Sequence, residues 1–196
     1  MKDDLEAQKL YVAEIRRQCV YAMAAAETVD LSMRYLRDHG SDSEVSRIAP
    51  REVFRNLHSF LTHTSNVSKL FWPDERSSRA ADGAKRGEVL RELFHVSDGV
   101  LRDRSLRNHL DHFDERLDRW RATSKHRNLA DENIGPLRAL GDFEATDVLR
   151  LYDPDGVFYF RGEAFNLRQM AAEVSRIEAL CDCADEELAK QAVPPV

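Results

Sequence analysis

The sequence predicts a mainly α-helical protein, an antiparallel bundle of four to five helices with one late β-hairpin. Apolar residues recur at alternating spacings of three and four along most of the chain, the period of a helix with one buried face. Polar stretches carrying glycine or proline interrupt that rhythm and separate the helices. Near the end, Asp153-Pro154-Asp155-Gly156 divides two short β-prone runs, a tight-turn signal.

The first helix is expected over about residues 3 to 38. Leu5, Gln8, Val12, Ile15, Cys19, Ala22, Ala26, Val29, Met33 and Leu36 form its seam. His39-Gly40 ends it, with Gly40 suited to a left-handed cap. A polar loop from Ser41 to Ala49 follows, and Pro50 opens the second helix, since proline suits a first turn. Val53, Leu57, Phe60, Thr64, Val67 and Phe71 give this helix its stripe, and Trp72-Pro73 ends it. The charged, Ser- and Ala-rich stretch from Pro73 to Gly87 reads as an exposed loop. A short third helix runs from Glu88 to Val96, and Ser97-Asp98-Gly99 breaks it. The fourth helix continues to Thr123 on the stripe Leu106, Leu110, Phe113, Leu117 and Trp120. Ser124 to Gly141 reads as polar linker. Val148–Tyr152 and Val157–Phe160 form the hairpin. Asn166 and Gln169 stand at capping-box spacing ahead of a last helix carrying Leu167, Met170, Val174, Ile177, Cys181, Ala184 and Leu188. The Val-Pro-Pro-Val end is expected to be disordered.

A chain of 196 residues fits one domain over 1–196. Within it, residues 1–123 form the bundle core, and 124–196 supply linker, hairpin and C-terminal helix. A domain of this size buries roughly 70% of its unfolded surface and needs no disulfide or metal to fold. The net charge of −6 excludes a surface coated for non-specific nucleic-acid binding but leaves room for a local basic cleft. With only eight glycines there is no phosphate loop, and no Gly-x-Ser-x-Gly elbow occurs. Cys19 and Cys181 fall on apolar stripes and read as buried thiols. Cys181-x-Cys183 lacks the second pair that a four-ligand metal site requires. The acidic start, Met1-Lys2-Asp3-Asp4, is unlike a secretory signal, and no run of about 18 apolar residues occurs, so no membrane span is expected. The expected location is the cytoplasm.

The segment that carries chemistry is Arg107-Asn108-His109-Leu110-Asp111-His112. With Leu106 at the centre of the buried stripe, Leu110, Phe113 and Leu117 stay within about 40° of it at 100° per residue. His109 falls at the edge of that apolar face. Asn108 and His112 point together to the opposite side, Arg119 continues their line, and Arg107 lies beside it among Asp111, Asp114 and Asp118. Histidine, which ordinarily titrates near neutral pH, thus shares a ridge with a neutral amide and a permanent cation.

This segment resembles the Arg-x(4 to 6)-His motif of HEPN-domain proteins, in which Asn or Asp often follows the arginine. These are four-helix bundles, many of them RNases of toxin–antitoxin and phage-defence systems. The resemblance covers about residues 5 to 123. It implies metal-independent RNA cleavage, with no cofactor, by attack of a 2′-hydroxyl on the adjacent phosphate. His112 would act as general base or acid. Arg107 would stabilise the charge growing on the phosphorane oxygens, and Asn108 would hold the histidine or the phosphate. The family usually joins two motifs across a dimer, so a homodimer is implied, and an antitoxin or other protein partner fits the same resemblance. Arg102, Arg104, Arg116 and Arg119 would line the RNA path. Arg55-Asn56 is followed by His58 and His63, at spacings that do not fit the motif.

Two other readings stand beside this one. A degenerate domain of the same shape serves as a non-catalytic interaction or dimerisation module, and the long seam of the first helix suits a partner helix. A metal site inside the bundle would draw on His58, His63, His109, His112 and the Glu92-x-x-His95 spacing. The di-iron pattern needs two such motifs, however, and His58 and His63 lie about 140° apart on their helix.

Overall fold

A computed structural model describes residues 2–74, 80–103, 105–124, 130–141 and 147–192. The chain is mainly helical and carries one four-stranded sheet toward its C-terminal side. Its helices are α1 (Lys2–His39), α2 (Ser43–Phe71), α3 (Ala80–Leu93), α4 (Ser105–Asp111), α5 (Phe113–Thr123) and α6 (Leu167–Gln191). The strands are β1 (Asn133–Ile134), β2 (Arg150–Asp153), β3 (Val157–Phe160) and β4 (Glu163–Asn166). Among the described residues, no helix is long and apolar enough to cross a membrane.

The chain divides into two compact units that interleave in sequence. Unit 1 is Met1–Ala24, Phe60–Asp103 and Met170–Val196, and unit 2 is Ala25–Ser59 and Arg104–Gln169.

The seam of α1 buries Val12, Ile15, Cys19 and Ala22 in unit 1. On α6, Val174, Ile177, Cys181, Ala184 and Leu188 are buried at the same helical spacing. Both Cys19 and Cys181 are fully buried, whereas Cys183 is exposed. In unit 2 the buried alanine of α1 is Ala25 rather than Ala26, with Val29 below it.

Several elements depart from the pattern-based reading. Gly40 is not left-handed. A Cβ there would lie 2.5 Å from the Leu36 carbonyl oxygen, so close approach accounts for the glycine. Nor does α2 begin at Pro50. Asp42 caps it, its Oδ1 accepting the Glu44 N–H at 2.8 Å, and Pro50 lies inside the helix. The cap starts the helix two turns earlier, and proline leaves the Ser46 carbonyl without its usual donor.

The supposed loop before Glu88 is helical from Ala80 onward, while 75–79 lie outside the described residues. Its glycines permit contact rather than flexibility. A Cβ on Gly87 would meet the Phe71 carbonyl oxygen at 2.7 Å, and one on Gly83 would meet Pro73 Cβ at 3.2 Å. That approach lets α3 satisfy the open end of α2: Arg86 Nη2 donates to the Lys69 carbonyl at 3.1 Å, and Arg91 Nη1 donates to that of Phe71. Phe71 and Phe94 meet edge to face at 5.2 Å.

Beyond the break at Gly99, a short 3-10 turn spans Val100–Arg102. Buried Glu173 accepts the Leu101 N–H at 3.2 Å, and Ser68 Oγ donates to the Leu101 carbonyl at 2.6 Å. A Cβ on Gly99 would fall 1.8 Å from Glu173 Oε1, so only glycine fits beneath that carboxylate.

In unit 2 the expected hairpin forms, with Arg150 paired to Phe160 and Asp153 to Val157. It is the centre of a sheet ordered β1-β2-β3-β4. β1 runs parallel to β2, inside the segment read as linker, of which 125–129 lie outside the described residues. β4 returns antiparallel on β3 through Arg161-Gly162, both left-handed at φ 49° and 81°, as a two-residue hairpin requires. Asn166 Oδ1 then caps α6, accepting the Gln169 N–H at 3.0 Å. The four residues 193–196 lie outside the described residues.

Candidate functional site

The expected single helix through the motif is broken at His112. α4 ends at Asp111, and His112, at φ −120° and ψ 41°, is the N-cap residue of α5. Its N–H still bonds to the Asn108 carbonyl at 3.1 Å, and its own carbonyl accepts the Arg116 N–H at 3.2 Å. A continuous 100° count from Leu106 therefore does not carry across to Arg119. Asp114 and Glu115 in the first turn of α5 favour a helix start here, because negative charge is stabilised at that end.

The two histidines of the motif meet opposite environments. His109 keeps 14% of its side chain exposed and lies on the sheet. Its ring stacks on Phe160 at 4.8 Å and meets Phe165 edge-on at 6.0 Å, and its Nε2 is 2.7 Å from Glu163 Oε2. His112 keeps 51% exposed, with Nδ1 3.2 Å from Glu115 Oε1. If Nδ1 carries the proton, Glu115 accepts it and Nε2 is left as the basic nitrogen, the division of labour in a carboxylate–histidine pair.

The sheet anchors this helix pair. Arg150 forms a bidentate pair with Asp131 at 2.8 and 2.7 Å, and its guanidinium lies 5.2 Å over the Phe113 ring. Phe113 in turn meets Phe160 at 6.0 Å. Asp131 holds the Arg150 guanidinium above its ordinary pKa.

The other expected site residues divide as follows. Arg102 belongs to unit 1, in the 3-10 turn, exposed and 3.6 Å from Asp98. Arg104 lies outside the described residues. The Arg107 backbone falls in α4, and its side chain lies outside the described residues. Asn108 is half-buried on α4. Arg116 and Arg119 stand one and two turns past His112 on α5.

A residue that sequence reading missed joins them. Arg161, in the β3–β4 turn, donates from Nη1 to the Arg116 carbonyl at 3.1 Å. Burial lowers its pKa, and the like charges of Arg119 and Arg116 lower it further. Among the described residues no carboxylate pairs with any of these three guanidiniums. The signal was present as Arg161-Gly162 directly after the alternating run Val157–Phe160. Three buried nitrogens on α4 and α5 also have no hydrogen-bond partner among the described residues: His109 Nδ1, Arg116 Nε and Trp120 Nε1. Unpaired buried polar atoms are costly and uncommon.

Among the described residues no group of three or more His, Cys, Asp or Glu side chains is arranged to hold a metal ion. His63 Nδ1 is instead 2.7 Å from Gln18 Oε1, and its ring meets that of Tyr21 at 5.2 Å. Compared with protein-family models, with curated proteins and with solved structures, the chain matches none.

Proposed function

We propose that this chain is a metal-independent endoribonuclease of the HEPN type, its helices packed as an antiparallel bundle and its motif completed in a homodimer. The observation that carries the reading is an exposed histidine beside a carboxylate, followed on one helix by two arginines that a third joins without counter-charge. RNA supplies the missing negative charge. In the reaction the 2′-oxygen bonds to phosphorus, the P–O5′ bond breaks, and a 2′,3′-cyclic phosphate and a 5′-hydroxyl form. His112 takes the 2′-hydroxyl proton in one copy, and its counterpart in the second copy gives a proton to the leaving 5′-oxygen. Arg107 supplies the charge that stabilises the phosphorane oxygens, Asn108 orients the histidine or the phosphate, and Arg116, Arg119 and Arg161 hold the flanking backbone. Such an activity suits a cytoplasmic toxin or phage-defence effector restrained by a protein partner.

The test is cleavage of end-labelled single-stranded RNA by the full chain in the presence of chelator. Cyclic-phosphate products lost in both Arg107→Ala and His112→Ala, with helical circular dichroism retained, support the reading. No cleavage by the parent chain, or equal cleavage by His112→Ala, overturns it.

One observation favours the non-catalytic interaction module. Leu31 and Tyr35, one helical turn apart on α1 in unit 2, are 51% and 52% exposed, an apolar pair suited to a partner helix. The same assay separates the two readings.

A further inference from the structure

A second arginine-lined feature in unit 2 has no part in the proposed cleavage. A cavity of about 380 Å³ is bordered by Arg34 and Arg37 near the end of α1, by Arg168 in the first turn of α6, and by Asp30 and Tyr152. Its volume falls in the roughly 300–1,000 Å³ range of small-molecule sites.

Three facts bear on these guanidiniums. Some arginines of this chain find carboxylates, as Arg16 does with Asp182 and Asp185 and Arg55 with Glu52, whereas others, Arg161 for one, find none among the described residues. Among the described residues, Arg34, Arg37 and Arg168 have none, although Asp30 stands one turn from Arg34 on the same helix. Arg168 also occupies a helix N-terminus, where the dipole already opposes positive charge. It is seated there by the turn after β2, since a Cβ on Gly156 would lie 2.6 Å from Arg168 Cγ, and Gly156 is left-handed at φ 89°. Nη2 reaches the Pro154 carbonyl only at 3.4 Å, which leaves most of its donors uncommitted.

The geometry points to a binding site for a phosphomonoester with a hydroxyl-bearing body, such as a sugar phosphate. Three guanidiniums against Asp30 in the lining keep the cavity positive even with Asp153 close enough to act on Tyr152, the sign a phosphomonoester dianion requires, and arginine is suited to planar, bidentate contact with phosphate. Asp30 only accepts hydrogen bonds, so it would repel a bare anion but can receive the hydroxyls of an attached sugar. Tyr152 is buried, and its phenol pKa is raised first by that burial and then by Asp30, so it presents a neutral hydroxyl at the cavity wall.

The test is titration calorimetry of the full chain at low salt with ribose 5-phosphate, ribose and inorganic phosphate as probes. Ribose 5-phosphate is expected to bind one per chain, about tenfold or more tighter than inorganic phosphate, with no heat from ribose. Arg34→Gln and Arg168→Gln should each weaken it by about tenfold, the loss of one charge-assisted contact. Arg34 is exposed on a helix surface, so its variant keeps the test valid if Arg168→Gln fails to fold. Asp30→Asn should weaken ribose 5-phosphate and leave inorganic phosphate unchanged or tighter. No binding of ribose 5-phosphate, equal affinity for it and inorganic phosphate, or unchanged affinity in Arg34→Gln overturns the inference. So does loss of binding only in the Arg119→Gln/Arg161→Gln double variant, which would place the phosphate on α5. RNA cleavage is read separately, so either proposal can fail alone.

Discussion

Arg16, in unit 1, divides its guanidinium between Asp182 at 2.8 Å and Asp185 at 2.7 Å, and its pKa rises in consequence. Arg161, in unit 2, is partly buried with Arg116 and Arg119 for neighbours, and its pKa falls, first through burial and then through their like charge. Both side chains are charged at any physiological pH, because a guanidinium starts above pH 12. What differs is whether the fold supplies the opposite charge. In unit 1 it does, and the pair fastens α1 to α6. On the α5–hairpin face it does not, and the folded chain holds like charges together at a cost that an arriving polyanion would remove. The two arginines thus differ in their counter-charge: Arg16 is neutralised within unit 1, whereas Arg161 is held to the Arg116 carbonyl with no carboxylate partner among the described residues.

The sharpest way to break that distinction is at His112. His112→Ala should lower RNA cleavage by roughly 10²–10⁴ while moving stability by less than about 0.5 kcal/mol, because the imidazole is exposed. Single-turnover kinetics beside urea melts would read both. The opposite profile belongs to Gly99 in unit 1. Gly99→Ala drives a methyl into Glu173 and strips the Leu101 N–H of its acceptor, which should cost about 2–4 kcal/mol in a urea melt. His109→Ala tests the neighbouring histidine. Its ring is packed on Phe160, so a loss of about 1–3 kcal/mol of stability is expected where His112→Ala shows almost none.

How far the sequence revealed this arrangement depends on which forces decide each element. The seams of α1 and α6 were legible because burial follows helical period residue by residue. The start of α2 was not, because the Asp42 side chain caps the helix two turns before Pro50. Gly83 and Gly87 read as loop residues, yet they are there for contact with Pro73 and the end of α2, which no local pattern encodes. β1 and β4 were missed because each is short and draws its stability from β2 and β3. At the site, periodicity correctly placed His109 toward the apolar side. It failed beyond His112, where the helix restarts, and it was silent on Arg161, which reaches the arginines of α5 only through the sheet.

Smaller effects sharpen the comparison further. Arg16→Gln should lower stability by at most about 1 kcal/mol, the ceiling for a solvent-accessible pair. Arg161→Gln relieves repulsion but also loses the hydrogen bond to the Arg116 carbonyl, so the two effects should offset to within about 1 kcal/mol. Thermal melts across a salt series would separate them, since added salt should lower the midpoint of Arg161→Gln relative to the parent chain and raise that of Arg16→Gln toward it. The buried thiols give a pH signature of unit 1. Burial pushes Cys19 up to about 12 and Cys181 up to about 11, from an ordinary value of 9.0. Their contribution is therefore fully present below pH 9 and is lost as pH rises through 11 and 12, because the unfolded thiols release protons first. Urea midpoints should fall between pH 9 and 10.5, and less steeply in Cys19→Ala.

The most direct test of the central claim is the salt dependence of single-stranded RNA binding by Arg119→Gln/Arg161→Gln against the parent chain. Each phosphate contact removed should flatten the slope of log affinity on log salt by about 0.7, so the double variant should lose about 1.4 of slope and bind at least tenfold more weakly at low salt. Equal affinity and an unchanged slope would contradict the assignment of these arginines to an RNA backbone.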